Sequence, residues 1–259
     1  MIEYSFSMAD LEYFLLIFSR VSCLIFIAPF YSTTNTPARI RIGLSIFVAL
    51  LLYQVLPVVP LEYSTIMGYA TMVLKEAAVG LLMGFGCNIC IMILSFSGRI
   101  IDMETGLSMA SLMDPLTKEQ TSISGMLYQY AVMLILMISG MYQYIMKALA
   151  ESFTLIPING AIFRPDGLMK AMVGFMSDYI FVAFRICLPI FTVMIMLNAI
   201  LGILAKVAPQ MNMFAVGIQF KVLTGLTVLF ITTGMLPRLS ELIFTEMKTM
   251  MVTFVETMM

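Results

Sequence analysis

The sequence has no histidine. That removes the commonest general base at neutral pH. Cysteine is scarce, with only Cys23, Cys87, Cys90 and Cys187. Cys87-x-x-Cys90 has the spacing of a zinc or redox pair. Without histidine or a second such pair, a closed tetrahedral site lacks ligands. The pair therefore reads as two small apolar residues inside a membrane helix, and no metal or cofactor is expected. Nor does a nucleophile stand with a base in any enzyme-like constellation. Charge is scarce too. Lys and Arg number 14, Asp and Glu 15, together 11% of the chain, against about a quarter in an ordinary soluble domain. The formal net charge of -1 gives nucleic acid nothing to bind. The start, Met1-Ile2-Glu3-Tyr4-Ser5, lacks the basic stretch of a cleaved signal peptide, so the first apolar segment is expected to be retained.

Apolar residues fill the space these absences leave. They make up 61% of the 259 residues, and mean hydropathy is +1.01. So few charges cannot give a chain of this length a polar skin. Its outer surface must face lipid or other apolar protein. Six apolar segments follow one another: Leu11 to Tyr31, Ile42 to Val59, about Ile66 to Ser97, Ile123 to Met146, about Leu168 to Ala205, and Met213 to Leu236. Each is near or above the roughly 20 residues needed to cross the hydrocarbon core. Backbone polar groups must be satisfied internally there, so helices are expected. The fold class is an all-α polytopic membrane protein. The third and fifth segments exceed a simple span, and so kink, form hairpins or project beyond the bilayer. Arg39 and Arg41 between segments one and two, and Lys206 between five and six, place those loops in the cytoplasm and the N-terminus outside. The stretch from Arg238 to Met259 has the mixed helical spacing of an amphipathic helix.

Charges inside apolar segments are Arg20, Lys75, Glu76, Asp178, Arg185 and Lys221. All are costly against lipid, so each is expected to face protein or water. Two readings follow, an ion or proton relay or pairing between helices or subunits. The acids are scattered and mostly accompanied by bases, which favours pairing. Ala77, Ala78, Gly80, Gly84 and Gly86 form a small-residue face for close helix contact, within this chain or with another subunit.

The connection over residues 98 to 121 is not uniformly polar. Ile100, Ile101, Leu107, Met109, Leu112, Met113 and Leu116 would be wasted in a solvated linker. Gly98, Gly106 and Asp114-Pro115 are turn signals. A semi-apolar, glycine-punctuated loop suits a re-entrant or pore-lining element, which tolerates irregular backbone only where protein or a water-filled cavity surrounds it. The plainer reading is an interfacial connector. Methionine is abundant, 27 in all. Met103, Met109 and Met113 stand well for a deformable seal. After segment five, Pro209 ends one helix, while Gln210 and Asn212 are suited to satisfy freed backbone groups.

Three stretches together carry a family resemblance. The first runs from Arg20 through Ala28-Pro29 to Thr36-Pro37-Ala38-Arg39-Ile40-Arg41-Ile42-Gly43-Leu44. The second joins Lys75-Glu76 and the Gly80/Gly84 helix to Gly98-Arg99-Ile100-Ile101-Asp102-Met103-Glu104-Thr105-Gly106 and Asp114-Pro115. The third, and most specific, is Leu204-Ala205-Lys206-Val207-Ala208-Pro209-Gln210-Met211-Asn212-Met213-Phe214-Ala215-Val216-Gly217. Ala150-Glu151-Ser152-Phe153 and Ile156-Pro157 fit between them. In order, spacing and length the chain resembles the FliR family of flagellar biosynthetic proteins and its virulence counterpart, the SctT export-gate subunits.

The resemblance implies a subunit of the type III protein export gate in the bacterial inner membrane. It implies FliP- and FliQ-like subunits as partners in a helical assembly, with FlhB- and FlhA-like proteins beside it. Unfolded export substrates would pass through. It also implies that the loop over about Gly106 to Thr121 plugs the pore, with Gly106, Leu107, Met109, Leu112, Met113, Asp114 and Pro115 as its gate residues. Gly80 and Gly84 would serve helix or subunit packing, and Lys206, Pro209, Gln210, Asn212 and Phe214 the cytoplasmic turn. By the same resemblance residues 1–167 form a FliP-like part with the pore loop at about 98–122. Residues 168–237 form a FliQ-like hairpin, and 238–259 a terminal amphipathic segment. Two departures are visible. Lys206 stands where the family often has Arg, keeping charge but not the planar fork. Gly140-Met141-Tyr142-Gln143-Tyr144 stands where the family often has histidines. A secondary transporter of ions or small solutes is the other function in view. It would show repeats with interrupted helices at matching positions, and the halves show no convincing repeat.

Overall fold

Glycine, proline and small hydroxyl residues set the helix ends in the computed structural model, which describes residues 8–32, 36–57, 61, 63, 65–109, 122–210 and 212–259. These residues form eight α-helices. They are α1 (Met8–Ile27), α2 (Ala38–Val55), α3 (Ile66–Thr105), α4 (Ile123–Ile138), α5 (Tyr142–Leu155), α6 (Pro165–Val207), α7 (Met213–Thr232) and α8 (Leu236–Met258). Pro37 precedes α2, and its carbonyl accepts from the Ile40 and Arg41 amides. Pro165 opens α6, where a missing N–H costs nothing. Pro157 follows the end of α5 and disfavours helix at Ile156.

Of the two long segments, α3 runs 40 residues as one helix and α6 runs 43, continuing through Pro189. The fourth segment is not one helix. It breaks between α4 and α5 with a bend of 70°. Gly140 sits there at φ +69, the left-handed position that commonly ends a helix and that glycine adopts without strain. Among the described residues, α2, α3, α6 and the combined α7–α8 rod are long and apolar enough to cross a membrane. The α4–α5 pair is a fifth if counted as one broken span. α1 is not in that set. It carries Asp10, Glu12 and Arg20 and buries a stripe of Tyr13, Leu16, Ile17, Val21, Leu24 and Ile25 against protein.

The chain divides into two compact units. One comprises residues 1–89, 140–175 and 245–259, the other 90–139 and 176–244. In the first, α3 meets α1 at Gly80 and Gly84. A Cβ on Gly80 would lie 2.1 Å from the Arg20 carbonyl oxygen, and one on Gly84 3.1 Å from that of Leu24. Gly86 receives the Phe254 ring of α8. Met247, Met250, Met251, Phe254 and Met258 make the buried face of the same helix. In the second unit, Gly98 of α3 meets Gly125 of α4 so closely that a Cβ would fall 2.1 Å from the Gly125 Cα. Gly225 of α7 packs on Thr105 in the same way, with 2.5 Å left for a Cβ.

Candidate functional site

Two polar clusters lie inside this apolar scaffold. The first joins the ends of the candidate pore loop. Asp102, on the last turn of α3, is 3% exposed. One carboxylate oxygen accepts from the Ser122 hydroxyl at 2.7 Å, the other from the Ser124 amide at 3.2 Å. Ser122 in turn caps α4, its hydroxyl accepting from the Gly125 amide at 2.9 Å. Helix N-termini favour a negative charge, so the Asp102 carboxylate holds the start of α4 to the end of α3. The chain between them must leave and return at the same place. Thr105, fully buried, bonds back to the Ile101 carbonyl at 2.8 Å. Gly106 then ends α3 at φ +80, and a single 3-10 turn follows over Leu107–Met109. Leu107 is buried. Leu112, Met113, Asp114 and Pro115 lie outside the described residues.

The second cluster surrounds Arg20 of α1, which is completely buried. Its Nε donates to Glu76 Oε2 of α3 at 2.7 Å, and Nη2 approaches the same oxygen at 2.6 Å. Nη1 reaches the Ser152 carbonyl and hydroxyl, at 3.1 and 3.2 Å, and Nη2 the Ile156 carbonyl at 3.1 Å. The guanidinium also lies 4.1 Å over the Phe153 ring. The other Glu76 oxygen accepts from the Asn159 amide at 2.9 Å. Neighbouring Lys75 points elsewhere and bonds the Asn159 side chain at 3.4 Å. One planar fork thus ties α1, α3 and the end of α5 together with every group partnered, the condition under which a buried ion pair is tolerated.

Other residues singled out in the sequence fall in varied settings. The Gly80/Gly84 face is occupied by α1 of the same chain. Lys206 ends α6, exposed, with Pro209 and Gln210 in the turn after it. Asn212 caps α7, its side chain accepting from the Ala215 amide at 3.4 Å, and Phe214 lies in the first turn. Cys87 and Cys90 are buried and are not joined in a disulfide. Among the described residues no group of three His, Cys, Asp or Glu is placed to hold a metal. Sequence reasoning gave no role to Asp102 or Ser122. The usable signal was a serine directly before an apolar run, a helix N-cap pattern.

Both clusters fall within residues 11–247, which match the family described as "Bacterial export proteins, family 1". The chain belongs to that family. It is 28% identical over 222 residues to flagellar biosynthetic protein FliR of Bacillus subtilis, covering 84% of this chain and 85% of that one. Identity to the protein of the same name in Pectobacterium carotovorum is 28% over 234 residues, 88% and 87% of the two chains. For Escherichia coli it is 22% over 230 residues, 88% and 86%. Members of this export family are components of a membrane apparatus, not enzymes. The clusters suit that role, since apart from the buried Ser124 hydroxyl, which has no partner among the described residues, their polar groups hold helices together.

Proposed function

We propose that this chain is the FliR-type subunit of a type III protein export gate in the bacterial inner membrane, through which unfolded flagellar proteins leave the cell. The observation that carries this reading is the family match over residues 11–247, supported by relatives named FliR that align over most of their length. FliP- and FliQ-like subunits surround it in the assembled gate, and FlhB- and FlhA-like proteins adjoin it. Residues 1–167 act as the FliP-like part, and 168–237, containing the α6–α7 turn, as the FliQ-like hairpin.

The loop from Gly106 to Thr121 is the plug on this reading. Its support is physical. Asp102 pins its two ends together, and Leu107 already turns into protein. An apolar constriction blocks ions by dewetting, without needing charge. The test is a strain whose own FliR is replaced by this chain. Secretion of flagellar proteins is expected to be restored. Deletion of Leu107 to Met113 is expected to leave the complex assembled and make the membrane leaky to small ions, slowing growth in high salt. Failure to support secretion would overturn the export reading. An assembled deletion complex that stays ion-tight would make the loop a connector.

A further inference from the structure

We propose that the second unit carries a docking site for an apolar helix of a partner subunit, in which Arg185 and Arg238 grip a carboxylate set within that helix's apolar run. The inference rests on the reading of the chain as one subunit of an export gate. A cavity of about 270 Å³ opens where α4, α6, α7 and α8 meet within that unit. Its walls include Arg185, Arg238, Tyr128 and Thr232, and no Asp or Glu among the described residues. Neither arginine forms an ion pair with a described carboxylate. Thr232 donates its hydroxyl proton to the Leu229 carbonyl at 3.0 Å. Tyr128 is therefore the donor in the 3.4 Å bond between the two hydroxyls. That bond is longer than the roughly 2.5–3.0 Å usual for O–H···O, so the Tyr128 proton is weakly held. Two guanidiniums and a phenol thus face the cavity as donors in want of an acceptor. An ionised carboxylate only accepts, and its two oxygens match the guanidinium fork.

The surface beside the cavity selects protein as what delivers the carboxylate. Phe181, Phe184 and Leu188 stand exposed on α6, at the i, i+3 and i+7 spacing of one helix face. Arg185 sits among them, also exposed. A contiguous exposed apolar patch marks an interaction site. Aromatic residues with Arg are the composition enriched at the core of protein interfaces. Acyl chains would suit the phenyl rings but leave Arg185 without an acceptor, which is costly. A small soluble acid would serve the arginines and leave the rings in water. A helix with one acid in an apolar run satisfies both at once. Residues three and four positions from that acid share its face, so apolar side chains within one turn of it would lie on Phe181, Phe184 and Leu188.

The experiment uses the full chain co-expressed with its partner subunits, with photoreactive benzoylphenylalanine in place of Phe184 or Leu188. Mass spectrometry of the purified, irradiated complex identifies what is linked. The expected result is one helix of a partner subunit, with an Asp or Glu within one helical turn of the linked position. In R185E/R238E the yield of that link is expected to fall roughly tenfold or more, as for a charge pair broken at an interface. Changing the identified acid to Lys is expected to restore it, and R185K/R238K, which keeps the charge, to retain it. Links confined to lipid or to a second copy of this chain overturn the site. So does a linked segment without an acid in that turn, a link undiminished in R185E/R238E, or a loss that the reversed partner fails to restore. Secretion is measured alongside, in the strain whose own FliR is replaced by the unmodified chain. Restored secretion with any of those adverse results overturns the docking site alone, whereas absent secretion overturns the export reading.

Discussion

Arg20 shows how one side chain can be both expensive and necessary in an apolar interior. Taking a guanidinium and a carboxylate out of water costs several kcal/mol per ion, and their attraction recovers this only when the remaining lone pairs and protons are also bonded. Here they are, through Ser152, Ile156 and Asn159. Arg20→Ala removes the cation and strands the Glu76 carboxylate in a site with no exposure. A loss of about 3–5 kcal/mol follows for breaking a buried pair on one side, and Glu76→Ala should cost a similar amount. Replacing both by apolar residues of similar volume, Arg20→Met with Glu76→Leu, is expected to recover much of the loss. Thermal unfolding of the co-expressed complex, followed by protein retained in solution, reads all three. A double variant as unstable as either single one would mean that the contacts to Ser152 and Ile156, not the ion pair, hold the helices.

At the scale of elements, close contact depends on residues that lack a side chain. Gly80→Ala places a methyl 2.1 Å from a backbone oxygen that cannot step aside. It is expected to cost more than 2 kcal/mol, in the range of overpacked cores. Gly43→Ala, in α2 with nothing within 4 Å, gains helix propensity of up to about 1 kcal/mol. Opposite signs in the same unfolding assay are expected, and equal effects would show that α1 and α3 do not need this approach. The Asp102 clamp predicts a second element-scale result. Asp102→Ala frees the start of α4, costs about 2–3 kcal/mol in charge-assisted bonds, and should speed maleimide labelling of a cysteine placed at Ser108. Unchanged labelling would separate the clamp from the loop. Much of this was legible beforehand. Long apolar runs announced α3 and α6, and Pro209 announced the end of α6. The break at Gly140 was not, because a lone glycine in an apolar run is tolerated in membrane helices and its backbone angle leaves no compositional mark. The partner of Arg20 was not either, since Glu76 lies 56 residues away and nothing local joins them. Pro237 reads as the end of a hairpin, yet helix α8 runs through it, because a proline in the first turn of a helix sacrifices no bond.

At the scale of the whole molecule, the helices differ in how much of themselves they keep inside. In the most apolar stretch of α3, 61% of residues are buried, against 11% in α2. On α7, Leu223, Phe230 and Ile231 stand exposed, Phe230 at 81%. Lipid alone does not suit this surface. Lys221 lies near the middle of the 20-residue α7 and forms no ion pair among the described residues. A lysine at that depth against acyl chains costs roughly 2.5–3.5 kcal/mol on insertion scales. Neighbouring subunits that bring a carboxylate or a water-filled groove to Lys221 remove the penalty and cover the apolar faces together. The chain expressed alone is therefore expected to be degraded or to aggregate on extraction. Co-expression with FliP- and FliQ-like partners is expected to give a single stable species. Size-exclusion chromatography in mild detergent decides the matter. A monodisperse lone chain that keeps its helices on heating as well as the co-expressed complex does would mean that lipid completes the fold and that Lys221 reaches water by itself.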